Sequence, residues 1–267
     1  MGEIKWEQNE EITEEKKEEV KTNLNIVFND YMAETGEDKS IVNKFDIIIS
    51  DKVGKKDSNN GVTIIPKNEN DIFLILINSK QINKYSDYAH TFPHELTHVF
   101  DFSKCMYDNK ITTEKELLSS GYYNAIYYWS EFHARYYSFK YAVKYINKSK
   151  EEILKEIIEP GFNKYMQILK EAMGNGGNDG VEILTQLMYQ YGRFIAFKEY
   201  GFIAIEQEEF PRETIKNMFG DAGIRIYYLF ENISNYEEFR TSYSKIVDIL
   251  EEIRMNFDDF RYEYHKR

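Results

Sequence analysis

The sequence predicts an α+β protein with a small β-sheet near its N-terminus and helices through most of the remainder. Apolar residues recur at helical spacing between residues 10 and 31, and three short runs rich in β-branched residues follow between residues 45 and 78. Beyond residue 85 the apolar spacing is helical almost throughout. The 267 residues suffice for one large domain or for two lobes that share a cleft.

The first predicted helix covers residues 10–31. Its apolar side chains fall on or near one face, which predicts that this face packs against another element. They are Ile12, Val20, Leu24, Val27, Phe28 and Tyr31.

The predicted sheet is small and mixed or antiparallel, and its strands are residues 45–50, 62–66 and 72–78. The polar segment 51–61 predicts a long hairpin loop between the first two strands. The third run, IFLILIN, is almost wholly apolar, as expected of a strand covered on both faces.

The most informative motif is HELTH at residues 94–98, on a helix predicted over 87–107. His94 and His98 are four residues apart, so both imidazoles lie on one helix face and can reach the same cation. Imidazole is a common zinc ligand, and Glu95 is placed to act as a general base. Chance alone produces HExxH about 0.01 times in a chain of this composition. The motif therefore predicts one zinc ion per chain.

The rest of the chain is predicted to be helical. Thr113 and Glu116 form a capping box that opens a helix or a broken pair reaching residue 147, and Ser149 opens another. The glycine-rich segment 174–180 predicts a connection between helices, and three or four more helices extend to about residue 257.

A catalytic zinc site needs a third protein ligand, and Glu131 is the main candidate. It lies in the middle of a strongly aromatic helix, where burial of a carboxylate costs free energy that coordination of a cation would offset. Two alternatives stay open. Glu131 can instead form an exposed salt bridge to Arg135. His133 is a rival ligand, although it points about 160° away from Glu131 around the helix.

Two further polar residues flank the motif. Asp101 can orient a ligand histidine by accepting its outer N–H, or it can be a solvated helix charge. His90 precedes His94 by one turn, but Pro93 disturbs the helix between them, so His90 is predicted to line the cleft or the surface.

HELTH followed some thirty residues later by Glu131-Phe132-His133-Ala134 resembles the ImmA/IrrE-like metallopeptidases, in which an ExxA helix follows HExxH. The resemblance covers about residues 40–145 and implies a zincin-like fold of the gluzincin type. It implies zinc ligands at His94, His98 and Glu131, a general base at Glu95, and a packing role for Ala134. The chain departs from this family in Arg135 and in its long helical C-terminal half.

The resulting expectation is a zinc endopeptidase in which Glu95 activates a zinc-bound water, with a protein or peptide as substrate. Residues 1–110 would form a lobe with the sheet and the HExxH helix. Residues 111–267 would form a helical lobe that supplies the third ligand and a cleft wall.

The third strand, 72–78, would pair with the extended substrate. Tyr191, Tyr137 and His133 are candidate oxyanion donors. The alternative is a zincin-fold regulatory or binding protein that recognises a partner without cleaving it.

Composition narrows the other function classes. The net charge of −12 argues against binding nucleic acid through its phosphates. No run of 18 apolar residues predicts a membrane span, and the charged first twenty residues do not form a signal peptide. Cys105 is the single cysteine, so an intramolecular disulfide is impossible. A cytoplasmic location is the expectation from these features.

Overall fold

The computed structural model describes residues 2–7, 12–37, 45–54, 60–83, 85–146, 148–158, 167, 171, 180–202 and 205–265. The chain divides into two compact units. Unit 1 comprises Met1–Ile126 and Tyr137–Ile146, and unit 2 comprises Tyr127–Tyr136 and Asn147–Arg267. The predicted division into lobes at residue 110 stays a prediction.

Unit 1 contains one mixed four-stranded sheet, which confirms the α+β class. The strands are β1 (Ile4–Glu7), β2 (Phe45–Ser50), β3 (Gly61–Ile64) and β4 (Phe73–Asn78), in the order β1-β2-β4-β3. The β1–β2 and β2–β4 pairs are parallel, whereas β3 is antiparallel to β4. Strand β1 was not predicted, because IKWE is too short and too charged to show a strand pattern.

The predicted hairpin between β2 and β3 is wrong, because β4 lies between them. Ile47 and Ile49 of β2 are in register with Ile75 and Ile77 of β4, and all four side chains are fully buried. The two most apolar strands thus occupy the interior of the sheet, and the half-buried β3 lies at its edge. Residues 55–59 of the predicted hairpin loop lie outside the described residues.

Helix α1 (Glu14–Thr35) begins four residues later than predicted, because Thr13 caps it by accepting a hydrogen bond from the Lys16 amide. Gly36 ends it in the left-handed conformation at φ 65°. The face predicted to pack is buried, and α1 packs against the helix that carries HELTH. Its buried residues are Val20, Leu24, Val27, Phe28, Tyr31 and Met32.

Helix α2 (Tyr85–Asp108) carries HELTH and is buried on all sides from residue 91 to residue 102. It packs against α1, β3 and β4. The helix continues through Pro93, whose carbonyl accepts a hydrogen bond from the Thr97 hydroxyl at 2.7 Å. A helix enclosed in this way holds the motif side chains in fixed positions.

Two helices follow α2, so the broken-pair alternative is correct. Helix α3 (Glu114–Ser119) has the predicted capping box of Thr113 and Glu116, and helix α4 (Tyr123–Tyr145) is aromatic along its length. The ends of α4 belong to unit 1 and its middle to unit 2. Near its C-terminal end, the Tyr141 hydroxyl donates to Glu34 of α1 at 3.0 Å.

Unit 2 is helical in its described part. Helix α5 (Lys150–Ile153) begins at Ser149 as predicted, with a capping box formed by Ser149 and Glu152, and runs into a π-helical turn, Leu154–Ile158. Helices α6 (Gly180–Glu199), α7 (Ile205–Glu231) and α8 (Tyr236–His265) follow, and α7 is broken at Gly220, where φ is 63°. Residues 174–179 of the glycine-rich segment lie outside the described residues. Among the described helices, none combines the length and apolar character that a bilayer crossing requires.

Gly192 allows α6 to approach α4 closely within unit 2. A Cβ atom there would lie 2.2 Å from the carbonyl oxygen of Phe132 and 3.0 Å from the Tyr136 amide nitrogen. We predict that Gly192→Ala lowers the free energy of unfolding by about 3 kcal/mol, because backbone atoms must move. Urea denaturation measures this change. Gly223→Ala is the control, since its nearest contact is the Ile215 side chain at 2.6 Å, and an equal loss in both variants would contradict the prediction.

Candidate metal centre

The two motif histidines converge on one point. His94 and His98 lie one turn apart on α2, and their Nε2 atoms are 3.3 Å apart. The rings are nearly perpendicular, at 87°, and the His98 ring stacks on Phe102, one turn further along. Both side chains are buried, and His94 is the more exposed of the two at 8%. The helical spacing therefore brings two imidazole nitrogens to one position with restricted ring orientations.

Glu131 of α4 joins this pair. One ligand atom from each of His94, His98 and Glu131 lies within 4.8 Å of the other two. Glu131 is 7% exposed, which contradicts the alternative of a salt bridge on an exposed helix edge. No other group of three or more histidine, cysteine or acidic side chains has this spacing in the described part of the chain. These three residues could hold a metal ion.

The donor set and its spacing fit zinc. Two nitrogens on a tetrahedral zinc ion with bonds of 2.0–2.1 Å are about 3.3–3.4 Å apart, and the two Nε2 atoms have this separation. Two histidines and one carboxylate also form a common ligand set of catalytic zinc sites, which keep one position open. We call His94, His98 and Glu131 the metal triad.

The Glu95 carboxylate lies against the edge strand β3. The Thr63 hydroxyl lies 2.8 Å from Glu95 Oε2 and 2.9 Å from the Glu95 backbone oxygen. The Glu95 side chain is only 5% exposed. Thr63 was not among the predicted site residues, because nothing in the HELTH motif indicates which strand residue faces the helix.

Gly61, two residues before Thr63 on β3, was also missed. A Cβ atom at Gly61 would lie 2.8 Å from Glu95 Oε1 and 2.6 Å from the Thr91 methyl carbon. Residues two apart on a strand face the same side, so Gly61 and Thr63 both face α2. The sequence predicted Gly61 as the last residue of the loop 51–61, because glycine weakens a strand pattern.

Asp101 is 2% exposed, so its interpretation as a solvated helix charge is wrong. Its negative charge acts on Tyr31 of α1, whose hydroxyl lies 3.0 Å from the Thr97 hydroxyl. Burial, followed by the neighbouring Tyr137 and Asp101, raises the pKa of Tyr31 well above its ordinary value. The Tyr31 phenol is therefore neutral, and it contacts α2 at Thr97, inside the HELTH motif. The orientation of a ligand histidine by Asp101 stays a prediction.

The rival residues occupy other environments. The His133 ring stacks on Trp129, with 4.6 Å between ring centroids, and His133 does not belong to the metal triad. The His90 ring packs edge-on against Phe139. Tyr191, a candidate oxyanion donor, is buried in unit 2 and donates its hydroxyl to the Gly223 carbonyl at 2.9 Å. Its hydroxyl proton is therefore already used within the helical core.

Arg135 was considered in the sequence analysis as a salt-bridge partner of Glu131 on an exposed helix edge, but it is half-buried against an aromatic ring. Its guanidinium stacks over the Tyr189 ring, 4.9 Å from the centroid. Burial lowers the pKa of the neighbouring Arg193 to about 9, and the positive charge of Arg135 adds to this effect. Arg135 is therefore part of the contact between α4 and α6 inside unit 2.

The prediction that the substrate pairs with the third predicted strand, β4, is wrong. β4 has β2 on one side and β3 on the other, so both of its backbone edges are used within the sheet. β3 ends the sheet on the side where Glu95 is held. Any strand addition on this side of the sheet must therefore use β3.

Comparison with known proteins gives no match to a protein-family model, a curated protein or a solved structure. The class of site is thus defined by the metal triad and Glu95 alone. The resemblance to the ImmA/IrrE-like metallopeptidases stays a hypothesis that rests on HELTH and on residues 131–134.

Proposed function

We propose that this protein is a zinc-dependent endopeptidase. The observation that carries the proposal is the convergence of His94, His98 and Glu131, with Glu95 next to the first ligand on the same helix. A site that only binds zinc for structure has four protein ligands and no need of a base. Three ligands and a neighbouring buried carboxylate favour hydrolysis.

The chemistry divides between the metal and the chain. A zinc ion held by the metal triad would lower the pKa of a water molecule and polarise the scissile carbonyl. Glu95 would take a proton from the attacking water at a carboxylate oxygen and pass it to the leaving amine. Its burial at 5% exposure removes competing solvent from the carboxylate.

We propose that the substrate binds as an extended segment along β3. The outer edge of this strand carries backbone donors and acceptors that a peptide can pair with by strand addition. The peptide would then pass directly over the helix that holds Glu95, because β3 packs on α2. A protein or peptide in extended conformation is therefore the substrate class.

A zincin-like arrangement of the gluzincin type is the fold we infer for the site. The support is the mixed sheet with an edge strand packed on the HExxH helix, and a third ligand from a later helix. The buried Ala134, at 0% exposure, matches the packing position of the ExxA pattern.

A comparison of protein termini tests the proposal. Cells expressing the wild-type chain or the Glu95→Gln variant are lysed, and new N-termini are identified by mass spectrometry. We expect cleavage products that appear with the wild type and are absent from the variant. The purified chain should then cut the same sequences with zinc and should stop on addition of a chelator. The proposal fails if both cell samples have the same termini.

Glu131→Gln tests the third ligand. The amide keeps an oxygen donor but loses the negative charge, so we predict that zinc affinity falls by about 10–100-fold. The fold should persist, because glutamine has the same size and shape. Competition with a fluorescent zinc chelator measures the affinity, and circular dichroism checks the helices. His133→Ala is the control, and a loss of zinc in that variant with none in Glu131→Gln would move the third ligand to His133.

A further inference from the structure

We infer that Thr63 is a positioning residue that holds the general base, and that Gly61 provides the space for it. This inference rests on the proposed hydrolytic role of Glu95. It assigns a function to two residues of the edge strand that no motif in the sequence identifies.

The contact between Thr63 and Glu95 fixes one carboxylate oxygen. The hydroxyl has a single proton and lies at hydrogen-bond distance from both Oε2 and the backbone oxygen of Glu95. An ionised carboxylate is the stronger acceptor of the two, so the proton is directed mainly to Oε2. This contact holds the carboxylate at a fixed distance from β3.

Gly61 determines how closely β3 approaches the carboxylate. The distances from an added Cβ atom, 2.8 Å to Oε1 and 2.9 Å to Cγ of Glu95, are below any normal contact. A larger residue would push the Glu95 side chain out of its position, because Thr91 blocks the other direction at 2.6 Å. Glycine at position 61 therefore lets β3 lie close enough for Thr63 to reach the Glu95 carboxylate.

The location on β3 links the base to substrate binding. Thr63 donates from the strand that would pair with the substrate, so the same element holds the peptide and the carboxylate that acts on it. Such coupling matters because a displacement of about 1 Å between reacting groups costs on the order of 100-fold in rate. Thr63 is also in register with Ile75 of β4, a fully buried residue, so its backbone is anchored in the sheet.

The test compares Thr63→Val, which keeps the shape but removes the hydroxyl, with Thr63→Ser, which keeps the hydroxyl. Zinc-loaded proteins are assayed on a substrate found in the termini experiment. We expect Thr63→Val to lower kcat by about 10–100-fold with little change in KM or zinc content, and Thr63→Ser to restore kcat to within about threefold. Gly61→Ala should also lower kcat.

Thr35→Val is the matched control, because it makes the same chemical change at the last residue of α1. The Thr35 hydroxyl donates to the Tyr31 carbonyl and not to Glu95. It should keep wild-type kcat. Equal kcat in Thr63→Val and the wild type would overturn the inference. An equal loss in Thr63→Val and Thr63→Ser would also overturn it, because the hydroxyl would then not be the cause.

Crystal structures of the two Thr63 variants separate this inference from the proposed function. If the wild-type chain cleaves no peptide, the proposed function fails, and the position of the Glu95 carboxylate still tests the inference. We expect the carboxylate to move in Thr63→Val and to keep its place in Thr63→Ser. An unchanged carboxylate in Thr63→Val would overturn the positioning role whether or not the chain hydrolyses peptides.

Discussion

Replacing His98 by alanine is expected to reduce bound zinc from one ion per chain to a trace. The variant loses one of the two nitrogens that lie 3.3 Å apart on α2. Structural zinc sites with four ligands bind zinc with about 10–16 kcal/mol, so one ligand contributes about 2.5–4 kcal/mol, or roughly 10²–10³-fold in affinity. Elemental analysis after gel filtration in metal-free buffer measures the zinc content. His94→Ala should behave in the same way.

The control for this prediction is His90→Ala. His90 precedes His94 by one turn of the same helix and packs against Phe139, outside the metal triad. That variant should keep its zinc. A loss of zinc only in the His94 and His98 variants would show that these two histidines bind the ion, and that removing any histidine does not have the same effect. One zinc ion per chain in His98→Ala would contradict the metal triad. The same content in all variants would indicate a different site.

The motif helix was the part of the site that sequence could predict best. The i, i+4 spacing of His94 and His98 fixes their shared face once a helix forms, independent of the rest of the fold. Glu131 was harder, because its helix lies more than thirty residues away and only its aromatic surroundings singled it out. Glu131 is buried, and one of its carboxylate oxygens lies within 4.8 Å of a nitrogen of each histidine. Its role as the third ligand stays a prediction.

The sheet order could not be predicted from local patterns. Strand positions follow from alternation and apolar runs, and β2 was predicted with its correct bounds. Pairing depends on contacts that are distant in sequence, such as Ile47 with Ile75, and a polar loop between two strands does not reveal an intervening third strand. The same limit hid the contact of Thr63 with Glu95, which joins residues 32 positions apart.

Replacing Glu95 by glutamine is expected to abolish hydrolysis while leaving zinc in place. Glutamine has the shape of glutamate but cannot take a proton from water, so general-base catalysis is lost, and kcat should fall by about 10³-fold or more. Glu95 does not belong to the metal triad, so zinc content and affinity should match those of the wild type. Kinetics on a cleaved peptide and zinc analysis of the same sample measure both quantities.

The matched control is Glu19→Gln, the same chemical change at a residue of α1 that forms a salt bridge with Lys16. It should keep full activity, since surface salt bridges contribute little. Near wild-type turnover in Glu95→Gln would rule out Glu95 as the base. A zinc-loaded wild type that cleaves nothing would instead favour the binding-protein alternative, because the metal triad would then hold its ion without hydrolysis. If Glu95→Gln alone keeps its zinc and loses turnover, the metal triad holds the ion and Glu95 moves the proton.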